Sequence, residues 1–558
     1  MHRHSGARRH RTEKHRSSHG YPRIGVARVA PTADRSQKAL LVAAGLSFLL
    51  ISWSPYHHWD EFFYLFSAMV HSPRELVRYE AGLAIFPNGF FSGKIAHVVL
   101  LRLLLKGLGA GRLTLFMIQS FYACMMLAFA AAAWGILREL LDERIALRST
   151  VVLLFLPVTT YLGFKTLSEV PSLLFTTVAS WAFVVSFRSS TDKQRRLLAV
   201  AAVGLALGTL SRVTGVVAFV GLILGILAMR DPRFPWSDVL RRAGAVTAGA
   251  LLLYLFLLHQ AGGSPLRLTQ LAYTVATHDV WMQRLYALCL ALQAFILVIP
   301  FGIRVRNAPL MRLILVWLGV TALPFLAGHE SRYYAPTLIP LAVLCTLGVS
   351  RVAERIFGRG RQWGWIGVLA VLALVDRAVF APLMPYEIDQ TNLNRVVSDL
   401  QQTGRGGTIL VPWISDYAYL RVVFPHQPVR LAISAIPGAR YTAQGRFGPM
   451  APEDQWWAGP ERYVGSGNSL GREPQPWFYI GWDYAPALLR LRQALGLVGI
   501  RWAHNPLKAG WHNHLTGSWI WQDPHLSLTP AGREGQYQIF RIGQVTQTSP
   551  GSTPPARR

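Results

Sequence analysis

The sequence predicts a polytopic α-helical membrane protein with about 11 transmembrane helices and a C-terminal α/β soluble domain on the outer face. Three observations predict it. Of 558 residues, 52% are hydrophobic and only 15% are charged. The apolar residues form separate stretches between residues 39 and 381, and a turn-rich, aromatic composition follows. A spanning helix needs about 20 mostly apolar residues, and its backbone must pair within itself in lipid.

The net charge of +28 is spread along the chain and does not mark one folded face. Much of it lies in a basic, low-complexity tail over residues 1–38, which we expect to be disordered and cytoplasmic. The rest lies mainly in short loops between apolar stretches. This pattern predicts membrane lipids as partners and excludes nucleic acid as the expected one.

Each predicted span is an apolar stretch bounded by charged or turn-forming residues. The spans lie at 39–54, 113–137, 149–164, 168–187, 197–211, 213–229, 243–259, 284–302, 310–327, 334–350 and 363–381. The region 197–229 has a second interpretation as one bent helix. Losing one span there would invert all later loops, so two spans are retained.

Basic residues gather in alternate loops, as cytoplasmic loops do. The five basic loops follow the spans that end at residues 137, 187, 229, 302 and 350. They predict a multi-pass protein of the cell (inner or plasma) membrane with a cytoplasmic N-terminus. The loop 55–112 and the region after residue 381 are then extracytoplasmic.

The loop 55–112 mixes apolar runs with basic residues such as Lys94 and His97, which predicts amphipathic helices in the membrane interface. Residues 382–545 are predicted to form the outer α/β domain, with strands at 408–412, 477–480 and 537–540 and helices at 393–402 and 485–495. Residues 546–558 are predicted to be a disordered tail.

Adjacent carboxylates, Asp60 and Glu61, follow the first span directly. A carboxylate placed there can act as a general base toward an acceptor hydroxyl. It can also cap the start of a helix. A third interpretation joins both acids with His57 and His58 in a divalent metal site, although no metal-ligand spacing supports it.

Three further segments combine charge with a span end on the outer side. In residues 329–336, Arg332 can bind phosphate through its planar fork of N–H groups, or it can anchor the helix in the interface. Glu169, in residues 167–171, is a candidate site residue or a cap at the start of a helix. Arg212, in residues 210–215, is a second phosphate ligand or a snorkelling side chain.

These motifs together resemble the GT-C superfamily of polyprenyl-phosphate-dependent glycosyltransferases. Its members include protein O-mannosyltransferases, aminoarabinose transferases and dolichol-pathway mannosyltransferases. The resemblance covers about residues 39–381, which is the predicted catalytic domain. It rests on the acidic pair after the first span, on Leu167–Pro171, on Arg212–Gly215 and on His329–Pro336, in that order. No sugar-specific signature is present.

The resemblance implies an inverting membrane glycosyltransferase for a cell-envelope glycan. It would move a sugar (mannose or another hexose or pentose) from a polyprenyl-phosphate donor to a glycan, lipid or protein acceptor. No cofactor is certain, and a divalent metal is an alternative. The resemblance implies a catalytic role for Asp60 and Glu61. It implies donor-phosphate binding by Arg332, Arg212 and Lys94. Substrate orientation is implied for Glu330, Glu169, His329 and Tyr333.

Two other classes of function stay open on sequence alone. A transporter or flippase of a lipid-linked sugar would place ionisable residues near the membrane midplane, and many transporters contain inverted repeats. Here most charges lie at span ends, and no internal repeat is evident. A non-catalytic scaffold with an outer binding domain would tolerate changes at Asp60 and Arg332.

Overall fold

The computed structural model describes most of the helical region and the strands of the C-terminal domain, which we call the outer domain after its predicted placement. The described residues are 35–80, 92–263, 288–305, 307–323, 331–358, 363–380, 388–402, 407–412, 414–432, 470–471, 475–481, 520, 523 and 525–544. The predicted tails 1–38 and 546–558 therefore lie outside them, apart from residues 35–38, and so does the predicted helix 485–495.

Helices dominate the first two-thirds of the chain, as the composition predicts. In chain order they are α1 (Arg35–Ser52), α2 (Trp59–Val70), α3 (Pro73–Glu80), α4 (Ile95–Leu108), α5 (Arg112–Leu140), α6 (Glu143–Phe155), α7 (Pro157–Leu162), α8 (Glu169–Val185), α9 (Thr191–Ser211), α10 (Gly215–Met229), α11 (Trp236–Gln260), α12 (Ile299–Ile303), α13 (Ala308–Ala322), α14 (Leu338–Phe357) and α15 (Gly364–Val375). Short 3₁₀ turns precede α4 at Ser92–Lys94 and α14 at Ser331–Thr337.

Four of the described helical segments are long and apolar enough to cross a membrane: Arg112–Leu140, Glu169–Arg188, Trp236–Gln260 and Ser331–Phe357. Four shorter apolar helices lie at Gln37–Ser52, Gly215–Met229, Leu288–Leu297 and Ala308–Ala322. A helical fold with several apolar helices and a C-terminal sheet is thus confirmed. The number of eleven spans and the outer placement of the C-terminal domain stay predictions.

The structure divides one predicted span and has two helices in the region for which two interpretations were open. The span predicted at 149–164 is divided into α6 and α7 at Leu156, since Pro157 follows and has no N–H for the helix ladder. The region 197–229 is two helices, α9 and α10, separated at Arg212–Thr214. The second helix begins at Gly215, as the two-span interpretation required.

Helices α8 and α9 pack closely through glycine. A methyl-sized group at Gly208 would lie 2.3 Å from Thr176 Oγ1, and one at Gly204 would lie 2.9 Å from the Phe175 carbonyl. Small residues at such contacts let two membrane helices approach until their backbones nearly touch. The contact fixes Arg212, the first residue after α9, against the start of α8.

Helix α2 is covered by protein on all sides. Phe62, Phe63, Tyr64, Leu65 and Phe66 are each fully buried. The sequence predicted interfacial helices in this loop; that placement stays a prediction, while the side chains in the middle of α2 pack against protein. Five consecutive large side chains point around the whole helix, so both the membrane helices and the outer domain contribute to its packing.

The outer domain contains a five-stranded sheet, next to helices α16 (Gln390–Gln402) and α17 (Ile414–Val423). Its strands are β3 (Thr408–Val411), β4 (Val429–Leu431), β5 (Trp477–Gly481), β6 (Leu526–Glu534) and β7 (Tyr537–Gln544), in the spatial order β4-β3-β5-β7-β6. Strand β3 is parallel to β4 and β5, whereas β7 is antiparallel to β5 and β6. The three predicted strands are thus present.

A two-stranded ribbon joins the first loop to the outer domain. Strand β1 (Tyr56–His57) pairs antiparallel with β2 (Ile388–Asp389), with Tyr56 opposite Asp389. The Phe62 and Tyr419 rings meet edge to face at 4.7 Å, so α17 packs directly on α2. The start of α2, with its two carboxylates, is held between the two parts of the molecule.

Candidate active site

The two adjacent carboxylates stand at the capped start of α2. His58 is the N-cap, and its Nδ1 accepts a hydrogen bond from the Asp60 N–H at 3.2 Å. Glu61 Oε1 accepts from the His58 N–H at 2.9 Å and completes a reciprocal capping box. The cap fixes the direction of both acidic side chains.

Glu61 is held by a buried network. Its Oε2 accepts from the Thr166 N–H at 2.9 Å and lies 3.1 Å from His57 Nδ1. The Gln119 amide donates to the other ring nitrogen of His57 at 3.4 Å, so the imidazole proton faces Glu61. Burial alone would raise the pKa of Glu61, but His57, Lys165 and the His58 N–H lower it to about 2. Glu61 therefore occupies the capping position that the sequence left as an alternative.

Asp60 forms an ion pair with a buried arginine, Arg332. Its Oδ2 lies 2.7 Å from Arg332 NH2. Asp60 is 2% exposed and Arg332 is 4% exposed. The residues are far apart in the chain, and the 3₁₀ turn Ser331–Thr337 brings the guanidinium to the start of α2.

Arg332 continues into a second ion pair. Its Nε lies 3.4 Å from Glu169 Oε1, and the same oxygen lies 2.8 Å from Arg212 NH1. The two guanidinium groups lie 5.6 Å and 4.7 Å from the centre of the Tyr333 ring. Both arginines are thereby fixed in place by a carboxylate and an aromatic ring.

Lys94 completes the cluster from the start of α4. Its Nζ donates to the Tyr64 hydroxyl and lies 4.5 Å from the centre of that ring. Burial lowers the pKa of Lys94 to about 8; Asp60 and Glu169 raise it, whereas Arg212 and Arg332 lower it further. The lysine is thus close enough to interact electrostatically with Asp60, Glu169, Arg212 and Arg332.

A buried histidine lies behind this lysine. His97 Nδ1 contacts the Tyr122 hydroxyl at 3.0 Å, and its ring packs edge-on against Tyr64 at 5.3 Å. Burial and the Lys94 charge lower the pKa of His97 to about 3, so the ring is neutral. The His97 ring thereby holds the Tyr64 ring, whose hydroxyl accepts the hydrogen bond from Lys94.

We call Asp60, Lys94, Glu169, Arg212 and Arg332 the charged cluster. A cavity with about 330 Å³ of empty volume, including its open mouth, lies beside it. Glu169, Arg212, Arg332 and Tyr333 line the cavity. With three cations and two carboxylates, the cluster carries an excess of positive charge when Lys94 is protonated, and it can bind an anion there.

The sequence-predicted site residues fall into three groups. Asp60, Lys94, Glu169, Arg212, Arg332 and Tyr333 come together, whereas Glu61 points into the His57–Thr166 network. His329 and Glu330 lie outside the described residues. Sequence reasoning missed Tyr64 and Lys165. Tyr64 stands one helical turn after Asp60, which was an available signal, but the reach of Lys165 to the Tyr56 carbonyl depends on long-range folding.

The divalent metal stays an untested prediction. Within the residues described, no three His, Cys, Asp or Glu side chains gather as a ligand group. His57 and His58, the proposed metal ligands, instead bind Glu61 and the Asp60 N–H.

Residues 101–260 match the sequence model of a family described as dolichyl-phosphate-mannose-protein mannosyltransferase. The match covers under a third of the chain, and no curated protein matches. Together with the shared fold described next, it agrees with the resemblance to the GT-C superfamily.

Two solved structures share the fold over nearly their whole length. ArnT from Cupriavidus metallidurans bound to undecaprenyl phosphate has a TM-score of 0.52 at 12% identity, covering 91% of this chain and 98% of that chain. Its apo state has a TM-score of 0.51 at 14% identity with the same coverage. An oligosaccharyltransferase from Archaeoglobus fulgidus reaches 0.46 at 12% identity (81% and 69% covered), which is too distant to support an argument.

Proposed function

We propose that the protein is an inverting glycosyltransferase that takes a hexose or pentose from a polyprenyl-phosphate donor. The acceptor is a hydroxyl group of a glycan, lipid or protein. One observation carries the proposal: a buried carboxylate, Asp60, touches a buried guanidinium, Arg332, at 2.7 Å beside a cavity. A sugar bound between them would have a base on one side and a phosphate-binding group on the other.

Donor binding would rearrange this ion pair. The donor phosphate competes with Asp60 for Arg332, and Lys94 and Arg212 add positive charge nearby. Arginine can bind phosphate oxygens with two parallel hydrogen bonds. The single contact of Arg332 with Asp60 is no stronger than such a pair of bonds, so phosphate can replace it. A carboxylate released from its guanidinium partner becomes more basic. Donor binding thus prepares Asp60 for proton removal.

The transfer step then follows from the two positions. Asp60 takes the proton of the acceptor hydroxyl, and the hydroxyl oxygen attacks the anomeric carbon. The bond from this carbon to the phosphate oxygen breaks on the opposite face, and the electron pair leaves with the polyprenyl phosphate. Attack opposite the leaving group inverts the anomeric centre. Arg332 and Lys94 stabilise the charge on the departing phosphate.

The location of the cluster suits a lipid-borne donor. Glu169 begins α8, Arg212 follows α9, and Arg332 precedes α14, so all three lie at helix ends. A polyprenyl chain stays in the bilayer, and its phosphate is at the boundary with water. The comparisons agree with this chemistry, because one ArnT structure is bound to undecaprenyl phosphate. We propose that the cluster and the outer domain lie at the extracytoplasmic face of a chain that crosses the membrane eleven times.

The test is covalent transfer by the purified protein in detergent micelles, where no membrane separates two compartments. Polyprenyl-phosphate sugars are offered with envelope glycans, and mass spectrometry follows the release of free polyprenyl phosphate and the acceptor product. An enzyme yields both products. A flippase or a scaffold leaves the donor intact, and that result would remove the proposed function.

A further inference from the structure

A second cavity lies between α1, α7 and α15, and the proposed transfer step does not use it. Its empty volume is about 690 Å³, including the open mouth. Ser52, Lys165, Asp376 and Arg377 are among the residues that line it. We call it the α1–α15 cavity. No residue of the charged cluster is found among its described lining residues.

A buried carboxylate with one unsatisfied oxygen faces this region. Asp376 follows α15 and is 7% exposed. Its Oδ1 accepts from the Ala294 N–H at 2.8 Å, whereas the buried Oδ2 has no hydrogen-bond partner among the described residues. The same holds for Ser52 Oγ, which is 2% exposed. Leaving a buried carboxyl oxygen unpaired is costly, so a ligand that donates a hydrogen bond would stabilise it.

Two cations line the same cavity without pairing with this carboxylate. Lys165 is 2% exposed, and its Nζ donates to the Tyr56 carbonyl. Arg377 donates to the Trp53 carbonyl at 3.1 Å. Among the described ion pairs, neither cation is within 4.0 Å of Asp376. The cavity therefore offers a separated cation pair and anion, which is complementary to a ligand that itself carries both charges.

The surroundings of the cavity are apolar and face outward. Leu46 and Leu50 on α1 are exposed, as is Trp53 just after it, and on α15 Val371 and Leu374 are exposed. In a membrane helix such surfaces contact acyl chains. The polar lining lies at the ends of the predicted spans 39–54 and 363–381, at the depth of lipid headgroups. An occupant with a charged head and apolar chains fits both features.

We propose that the α1–α15 cavity binds the headgroup of a phospholipid that joins a phosphate to a primary ammonium, as in phosphatidylethanolamine. The phosphate lies between Lys165 and Arg377, and the ammonium donates to Asp376 Oδ2. A quaternary ammonium has no N–H to donate, so phosphatidylcholine is a poor ligand. This site is separate from the charged cluster and does not depend on transfer activity.

The proposal is tested with the full chain, delipidated in detergent and titrated with lipids of identical acyl chains. Native mass spectrometry counts bound phosphatidylethanolamine and phosphatidylcholine. We expect phosphatidylethanolamine to bind about tenfold more tightly than phosphatidylcholine, because only its ammonium can donate a charge-assisted hydrogen bond to Asp376. Equal binding of the two lipids would overturn the proposal. Equal binding of phosphatidylglycerol, which has hydroxyl donors but no ammonium, would also overturn it.

Two variants locate the site. Asp376→Asn keeps the shape and is expected to abolish the preference for ethanolamine over choline, whereas Asp192→Asn, an exposed change on α9, keeps it. Arg377→Gln is expected to weaken both lipids, because it removes the phosphate contact. A preference that survives Asp376→Asn would overturn the assignment. The lipid comparison on the unchanged protein decides the question even if that variant does not fold.

Discussion

Asp60 and Glu61 are neighbours in sequence and have different environments. Glu61 accepts hydrogen bonds from two backbone N–H groups and contacts His57, so its charge is fully engaged in holding the loop. Asp60 contacts a guanidinium that a phosphate can also bind. Two carboxylates take different roles when their surroundings push their proton affinities apart. These surroundings support the proposal that Asp60 removes the proton, and they give Glu61 the position of a cap for α2.

The pKa of Glu61 predicts how stability depends on pH. A carboxyl whose pKa is lower in the folded state than its ordinary value of 4.5 stabilises the fold above that value, and the contribution is lost as pH falls toward about 2. We expect Glu61→Gln to lower stability on the order of 3 kcal/mol at pH 7. Thermal unfolding in detergent should show the gap between variant and wild type closing below pH 4.5.

The matched control is Glu354→Gln, which changes an exposed carboxylate. It should unfold like the wild type at every pH. A constant gap between Glu61→Gln and the wild type down to pH 3 would contradict the assigned network.

Lys94 predicts a pH dependence of donor binding. Its pKa of about 8 means that it is charged below pH 8 and neutral above it, so its attraction for phosphate is lost as pH rises. We expect the KM for the donor to increase between pH 7.5 and 9 while kcat changes less. Lys94→Arg should remove this rise, because arginine keeps its charge. A Lys94→Arg profile that still rises would assign the titration to another group.

At the residue scale, the sequence predicted which charged residues come together better than it predicted their contacts. Asp60, Glu169, Arg212 and Arg332 were identified because charge at a span end needs a reason. Their pairing could not be read from spacing, because it depends on the 3₁₀ turn before α14 and on the close approach of α8 and α9. The Glu61 contact with Thr166 was also unavailable, since it joins loops 105 residues apart.

At the scale of elements, α2 depends on two neighbours at once. Its aromatic residues meet α17 through the Phe62–Tyr419 and Phe66–Tyr417 ring contacts. The ribbon of β1 and β2 fixes the segment just before the cap. The sequence could not predict this ribbon, because two-residue strands carry almost no pattern. The division of the third predicted span at Leu156 was predictable, since Pro157 disfavours a continuous helix.

The packing of α8 on α9 gives a prediction at this scale. Gly208→Ala places a methyl group 2.3 Å from Thr176 Oγ1 and 3.1 Å from the Thr176 backbone nitrogen, so this contact must shift, at a cost of about 1–3 kcal/mol. Because Arg212 follows α9 directly, donor binding should weaken as well. Gly244→Ala, on α11, meets nothing within 4 Å and should leave stability unchanged or slightly raised. Equal thermal unfolding of the two variants would contradict the packing.

At the scale of the whole molecule, the membrane helices and one face of the outer sheet share a single hydrophobic core. Ile409, Val411 and Phe478 belong to that core, whereas Leu410, Tyr479 and Phe540 form a separate cluster on the other face. This alternation follows the two-residue period of a strand. The outer domain therefore supports α2 directly. Composition predicted the two regions, but their shared core required the structure.

The orientation of the molecule is tested by accessibility. In a variant lacking Cys124, Cys289 and Cys345, we expect Arg533→Cys on β6 to react with an impermeant maleimide from outside intact cells. Asp192→Cys on α9 should react only after the membrane is permeabilised. The basic loops predict this difference. The reverse pattern would invert the topology and remove the extracytoplasmic assignment.

The central claim is that Asp60 removes a proton and Arg332 holds the donor phosphate. The direct measurement is single-turnover transfer together with donor binding for two variants. Asp60→Asn should bind the polyprenyl-phosphate donor at least as tightly as the wild type and transfer about 10²–10⁴-fold more slowly. Arg332→Ala should lose donor binding. An Asp60→Asn protein that transfers sugar at the wild-type rate would contradict the account.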